Sequence, residues 1–307
     1  MTYVKEKAKR YLTNFNRLPS LTTMTPQRAR ALRAALPPAT VKTGTVATIE
    51  DRTITARDGA NIPIRIYTPK GDGPFPIIIY YHGGGWVLND LSTCHASCTL
   101  LAEKTKSIVV SVEYRLAPEF KFPIPLHDAY DAFTWVKSEV TQLQGNGVIA
   151  VAGDSAGGNL ATCVALLAKE QHLSIDAQIL LYPVTNLSYE SDSYETYATG
   201  FGLDRDVMKW FGQYYIRTEA DAKNPLIAPL HGKLAGLPPT FLLVAENDVL
   251  RDEGLLYGKK LAQSGVVVQQ SIASGLVHSF FTKNDVFEEE IDGTIEEIVS
   301  FLETYVY

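Results

Sequence analysis

Residues 148–169 place the tightest constraint on how this chain can fold. Val148-Ile149-Ala150-Val151-Ala152 is followed by Gly153-Asp154-Ser155-Ala156-Gly157-Gly158 and then by the alanine- and leucine-rich run Asn159–Lys169. The first run, short and β-branched, reads as a buried strand, and the last reads as a helix. A strand that feeds a helix through so small a turn belongs in a parallel sheet covered by helices. Glycines at both shoulders let the backbone bend sharply enough to expose the Ser155 hydroxyl, the geometry of a G-x-S-x-G nucleophile elbow. The helix start behind it aims its amides at negative charge. The five-residue pattern alone is common, so its weight depends on what else the chain supplies.

The rest of the chain repeats the strand–helix alternation. Val46–Thr55 and Ile62–Thr68 flank Asp58-Gly59 and read as a hairpin. Ile77–Tyr81, Ile108–Val112, Val148–Ala152, Ile179–Tyr182, Phe241–Ala245 and Val266–Ile272 are nearly continuous apolar runs, suited to strands covered on both faces. Helical patterns separate them, and a long one closes the chain around Glu288–Tyr305. The expected fold class is therefore α/β: an eight-stranded, mostly parallel sheet with helices on both faces. Residues 45–307 would form this catalytic domain. Residues 1–44 read as two peripheral helices, Tyr3–Phe15 and a second capped by Thr25 with Pro26 at its first position and ended by Pro37-Pro38. Asn186–Ala235 is far longer than the usual strand connection of about 2–6 residues and is rich in Tyr, Phe and Trp. The two segments are expected to form a helical cap over the sheet edge where ligands bind in such folds.

Composition narrows the function. The chain is 46% hydrophobic, 20% charged and carries a net charge of −6 without any basic block, which argues against nucleic acid or an anionic membrane as partner. No run reaches the ~18 apolar residues of a membrane span, and the opening residues lack the apolar stretch of a secretory signal. Cys94, Cys98 and Cys163 form neither a disulfide framework nor a zinc pattern and read as reduced, packed thiols. These features fit a cytoplasmic enzyme acting on a small molecule, without metal or cofactor.

A serine hydroxyl needs a base, and imidazole suits neutral pH. His95, His127 and His172 lie in or near helical stretches, His231 in the long insertion, and His82 in a glycine run. His278, in the loop Ser274–Phe280 after the last strand, leaves the sheet on the same edge as Ser155. The base needs a carboxylate to hold its tautomer. Strand Phe241–Ala245 runs into Glu246-Asn247-Asp248-Val249-Leu250-Arg251-Asp252-Glu253, where Asp248 is favoured by position and Glu246 and Asp252 remain rivals. Strand Ile77–Tyr81 ends in His82-Gly83-Gly84-Gly85-Trp86. The amides of Gly83, Gly84 and Gly85, with that of Ala156, would receive an oxyanion.

Assembled, these residues resemble the hormone-sensitive-lipase-like carboxylesterases of the α/β-hydrolase fold. The likeness spans roughly residues 76–285 and rests on Tyr81–Trp86, on Tyr114-Arg115-Leu116-Ala117-Pro118-Glu119 with Phe122-Pro123, and on Gly153–Asn159. Asp248-Val249-Leu250-Arg251-Asp252 and His278-Ser279-Phe280 stand where the family usually has D-P-L-R-D and H-G-F, so Val249 and Ser279 depart from the pattern. The order Ser155, Asp248, His278 is that of this fold. The resemblance implies hydrolysis of short-to-medium acyl esters through an acyl-enzyme, a cap built partly from the N-terminal helices, and frequent homodimers. It also implies a supporting role for Tyr114–Glu119, in which Arg115 and Glu119 read as members of buried ion pairs. The same triad would serve a deacetylase or amidase. The plant gibberellin receptor resembles the family yet has lost the catalytic histidine, so a pure binding protein is the rival from another class.

Overall fold

The structure, a computed structural model, describes residues 3–35 and 41–307. Two helices come first, α1 (Glu6–Phe15) and α2 (Pro26–Ala34), and a hairpin follows, β1 (Thr48–Thr55) and β2 (Asn61–Thr68). Then come β3 (Phe75–Tyr81), α3 (His95–Thr105), β4 (Ile108–Val112), α4 (Ile124–Ser138), β5 (Gly145–Asp154), α5 (Ala156–Glu170) and β6 (Ala177–Leu181). The long insertion carries α6 (Asp192–Thr196) and α7 (Arg205–Tyr215). The chain ends with β7 (Thr240–Asn247), α8 (Arg251–Gln263), β8 (Val268–Val277) and α9 (Glu288–Tyr305). Among the described residues no helix is long and apolar enough to cross a membrane.

The eight strands form one sheet in the order β1-β2-β4-β3-β5-β6-β7-β8, and β2 alone runs against its neighbours. Alternation along β3 shows why both faces must be covered. Ile77, Ile79 and Tyr81 face α4, α5 and α8 in one apolar core. Ile78 and Tyr80 face α3, α9 and the buried Ala8 and Leu12 of α1 in the other. All five side chains are fully buried, and each large aliphatic side chain so placed contributes roughly 1.5–3 kcal/mol.

The strand order also locates the site. From β3 the chain passes through α3 to β4 on one side, then through α4 to β5 on the other. The two connections run over opposite faces, so the loops leaving the carboxyl ends of β3 and β5 border an open crevice, where ligands bind in such sheets. Tyr81 is in register with Gly153 across it.

Element ends differ from expectation by the most residues in three places. β5 begins at Gly145 and runs on to Asp154, which brings the strand right up to Ser155. β8 continues to Val277, past the stretch read as a loop, because a register shift between Ala245 and Asn247 lets Asn247 pair with Val277. α1 starts at Glu6: residues 3–5 are extended on the sheet, with Lys5 N donating to Gly275 O at 2.9 Å and Asn247 Nδ2 donating to Tyr3 O at 3.0 Å. Thr25 does cap α2, accepting from Arg28 N at 3.3 Å, and Pro26 opens it. Pro37-Pro38 lies outside the described residues.

Candidate active site

Ser155 follows β5 directly and precedes the first residue of α5 with φ 56° and ψ −121°. That backbone conformation is strained for a residue bearing a Cβ. It is held because Ser155 N donates to Leu181 O at 2.9 Å and Ser155 O accepts from Asn159 N at 3.0 Å. Gly157 is required at the turn, since a Cβ there would run into the carbonyls of Tyr81 and His82. The elbow and the glycine loop are thus in backbone contact.

His278 follows β8, and its Nε2 lies 2.8 Å from Ser155 Oγ. Its Nδ1 lies 2.6 Å from Asp248 Oδ2, while Asp248 Oδ1 accepts from Leu250 N at 3.0 Å. The three side chains are 5%, 6% and 1% exposed in the order Ser155, His278, Asp248. They form a single hydrogen-bonded row, largely withdrawn from water. The Tyr182 ring packs edge-on against His278 with centroids 4.9 Å apart.

The rival acids around Asp248 are all committed elsewhere. Glu246 accepts from Ser274 Oγ at 2.9 Å and Gly275 N at 2.6 Å, tying β7 to the end of β8. Asp252 accepts from Ser193 N at 2.7 Å and pairs with Arg251 at 2.8 Å. Glu253, buried, accepts from Thr185 N at 2.7 Å and Asn186 N at 3.0 Å. Burial pushes its carboxyl up to about 8 despite those bonds.

The glycine loop needs one correction. Gly83 N does not point to a substrate position: it donates to Asp154 Oδ1 at 2.9 Å, both groups being buried. Asp154 ends β5 opposite β3, so its carboxylate spans the crevice floor and takes that amide together with the Tyr80 hydroxyl at 2.8 Å. Burial raises the Asp154 carboxyl above its usual range against these bonds. Among the described residues, the N–H groups of Gly84, Gly85 and Ala156 donate to no other group. Phe211 of α7 packs flat on Gly85, leaving no space for a Cβ there.

Asp154, Asn89 and Asn159 are the residues that motif reading left without a role. Asn89 Nδ2 donates to Gly83 O at 3.0 Å. Asn159 Nδ2 donates to Val184 O at 2.9 Å and Ile227 O at 2.7 Å, fixing the root of the long insertion. The signal for Asp154 was its place between strand and serine, where a charged side chain must find buried partners. The Tyr114–Glu119 segment supports the loop as expected, with Tyr114 Oη donating to His82 O at 2.6 Å and its ring stacked on His82. Arg115 pairs with buried Asp128 at 2.6 Å. Glu119, however, is exposed and pairs with Arg30 of α2 at 2.9 Å, so only Arg115 joins a buried pair.

The insertion and the first helices meet. Trp210 Nε1 donates to Met24 O at 3.2 Å, and Asn16 Nδ2 to Gly200 O at 3.0 Å.

Residues 78–282 match the family described as having the alpha/beta hydrolase fold. The chain is 37% identical over 257 residues to an ethyl acetate hydrolase of Pseudomonas putida, covering 80% of each protein. It is 37% identical over 222 residues to an arylesterase of Saccharolobus solfataricus, covering 71% of this chain and 72% of the relative. Among solved structures, a thermostable esterase from Pseudomonas putida superposes with a TM-score of 0.94 at 32% identity, covering 100% of this chain and 99% of that one.

Proposed function

Because the chain belongs to the hormone-sensitive-lipase-like carboxylesterases of the α/β-hydrolase fold and is a carboxylic ester hydrolase, we propose that Ser155, His278 and Asp248 cleave short-to-medium acyl esters through an acyl-enzyme. His278, its Nδ1 proton held by Asp248, accepts the Ser155 proton at Nε2 as Oγ attacks the ester carbonyl. Negative charge builds on the carbonyl oxygen, and the N–H groups of Gly84, Gly85 and Ala156 receive it. The tetrahedral intermediate collapses, His278 protonates the departing alkoxide, and acyl-Ser155 remains. A water deprotonated by His278 then releases the carboxylic acid and restores Ser155. The observation that supports this reading is the unbroken row from Asp248 through His278 to Ser155, at 2.6 Å and 2.8 Å, beside three amides with no other acceptor among the described residues.

Residues 1–44 and 186–235 act as a cap in this reading, supported by the Trp210–Met24 and Asn16–Gly200 bonds. Its aromatic side chains favour small acyl groups such as acetate. Three buried free cysteines suit a reducing, cytoplasmic setting.

The test is Ser155→Ala against the wild type, with p-nitrophenyl acetate as substrate and a fluorophosphonate as covalent probe. Wild type should turn over and label. The variant should lose activity by about 10⁶-fold, the scale of serine removal in another serine hydrolase, and should not label. A wild-type protein that folds but neither labels nor turns over would instead be a binding member of the fold.

A further inference from the structure

The peptides of the glycine loop are fixed in different ways. His82 O accepts from Tyr114 Oη at 2.6 Å, and the N–H of the same peptide, on Gly83, is taken by Asp154. Gly84 O accepts from Val87 N at 3.1 Å and Leu88 N at 2.9 Å, a turn closed within the backbone. Gly83 O is held by two side chains instead, His82 Nδ1 at 2.8 Å and Asn89 Nδ2 at 3.0 Å. A carbonyl only accepts, so both nitrogens donate. In a trans peptide the carbonyl and the following N–H point in opposite directions. The bonds to Gly83 O therefore set the direction of Gly84 N–H, one of the amides that donate to no other group among the described residues.

Asn89 suits this position by its backbone and by its neighbour. Its φ of 76° lies in the left-handed region, which a short amide side chain tolerates better than most. From there the side chain reaches back six residues along its own loop. An amide can sit either way round, with oxygen and nitrogen exchanged. Arg33 of α2 selects between the two. A guanidinium only donates, and it donates to Asn89 Oδ1, which leaves Nδ2 for Gly83 O. Arg30, one turn earlier on α2, donates from Nε to Val87 O at 2.7 Å. Helix α2 thus grips the glycine loop at two points.

We propose that Asn89 is a positioning residue for the oxyanion hole, and that Arg33 sets the orientation in which it works. This rests on the esterase reading above. Asn89 acts through the Gly83–Gly84 peptide rather than on the ester. Its bond fixes the Gly84 amide before charge develops, so the donor needs no reorganisation in the transition state. Hydrogen bonds accepted by the carbonyl also polarise the peptide and strengthen the N–H at its other end.

The experiment measures kcat and KM for p-nitrophenyl acetate and the inhibition constant of 2,2,2-trifluoroacetophenone, with active sites counted by fluorophosphonate titration. Ser155 Oγ adds to the ketone carbonyl, its proton passes to His278, and the resulting hemiketal alkoxide occupies the oxyanion position. Asn89→Gly deletes the amide at a backbone angle that glycine adopts freely. Asn89→Asp keeps the shape and the bond to Arg33 but turns an acceptor toward Gly83 O. Outright loss of an oxyanion donor costs about 10²–10³ in kcat. On that scale kcat should fall about tenfold in Asn89→Gly and about a hundredfold in Asn89→Asp. KM should stay constant, because acylation and deacylation both pass through an oxyanion, and the ketone's inhibition constant should rise in step with the fall in kcat. Arg33→Met should lose a few-fold, and Arg33→Lys, which still donates, should recover most of it. A kcat in Asn89→Gly within twofold of wild type, a loss carried by KM, or a ketone constant that does not follow kcat overturns the role of Asn89, while wild-type turnover upholds the esterase. Absence of turnover in wild type overturns the two together.

Discussion

The sheet edge and the segments over it are held by different forces. At the edge, buried polar bonds hold each loop in one position: Asp154 to Gly83 and Tyr80, Asn159 to Val184 and Ile227, Asp248 to Leu250 and His278. The cover is held mainly by aromatic contact, as in Trp86 stacked on Tyr215 at 4.2 Å and Trp210 against Phe211 and Tyr214, with few hydrogen bonds to α1 and α2. A buried hydrogen bond has one geometry, whereas packed rings tolerate several. In the proposed reading, chemistry is thus specified at the edge and substrate choice in the cover.

That contrast can be broken at graded cost. The largest effect after removal of Ser155 is expected for Asp248→Asn, which keeps the shape but no longer stabilises the imidazolium. It should cost roughly 10⁴-fold in kcat, as in the comparable change in another serine hydrolase, measured on p-nitrophenyl acetate. Loss below tenfold would show that Glu246 or Asp252 serves His278 instead. In the cover, Phe211→Ala should behave differently, clearing the space above Gly85. A series of p-nitrophenyl esters from acetate to decanoate should peak at short chains in wild type. The variant should lose a few-fold on acetate and shift its optimum to longer chains. An unshifted optimum would remove α7 from the acyl site.

Glu253 joins the two regions, since it stands at the edge on α8 and holds Thr185 and Asn186 where the cover begins. Its folded-state carboxyl lies at about 8 against 4.5 for the free group. The folded protein therefore binds this proton more tightly than the unfolded chain does. Stability from the group falls as pH rises between those two values. Glu253→Gln keeps an oxygen acceptor without the charge, so its Tm should gain on wild type by a few degrees between pH 6 and pH 9. An unchanged difference across that range would mean the carboxylate is ionised throughout.

The smallest effect belongs to Ser279, which adopts φ 63° and ψ 14°, the left-handed region. Glycine avoids the Cβ penalty there, so Ser279→Gly should stabilise by about 1 kcal/mol in denaturant unfolding.

These particulars also explain what could be read from the residues alone. The hydrogen-bonded row of Ser155, His278 and Asp248 was legible because a parallel sheet brings the ends of β5, β7 and β8 to one edge, whatever lies between them. The departure at Ser279 was legible too, and its backbone angle supplies the reason a glycine is usual there. Gly83 was misassigned because three glycines in a row look equivalent in sequence. Only the third dimension shows which amide Asp154 takes. Glu119 failed for a related reason: its partner Arg30 lies on a helix whose docking no local pattern specifies. The extended residues 3–5 and the extra length of β8 were hidden because they depend on pairing between distant segments.

The tie between Asp154 and Gly83 has a consequence for how such a protein changes over generations. It joins the strand that leads into Ser155, the proposed nucleophile, to the loop proposed to receive the oxyanion, so the two are tied as one body. Thermal motion or sequence drift in residues 186–235 can reshape the approach to Ser155 without altering the distance between attacking oxygen and accepting amides. One reaction can then be offered to a succession of different esters, and the lineage can explore new substrates while its catalytic step stays tuned.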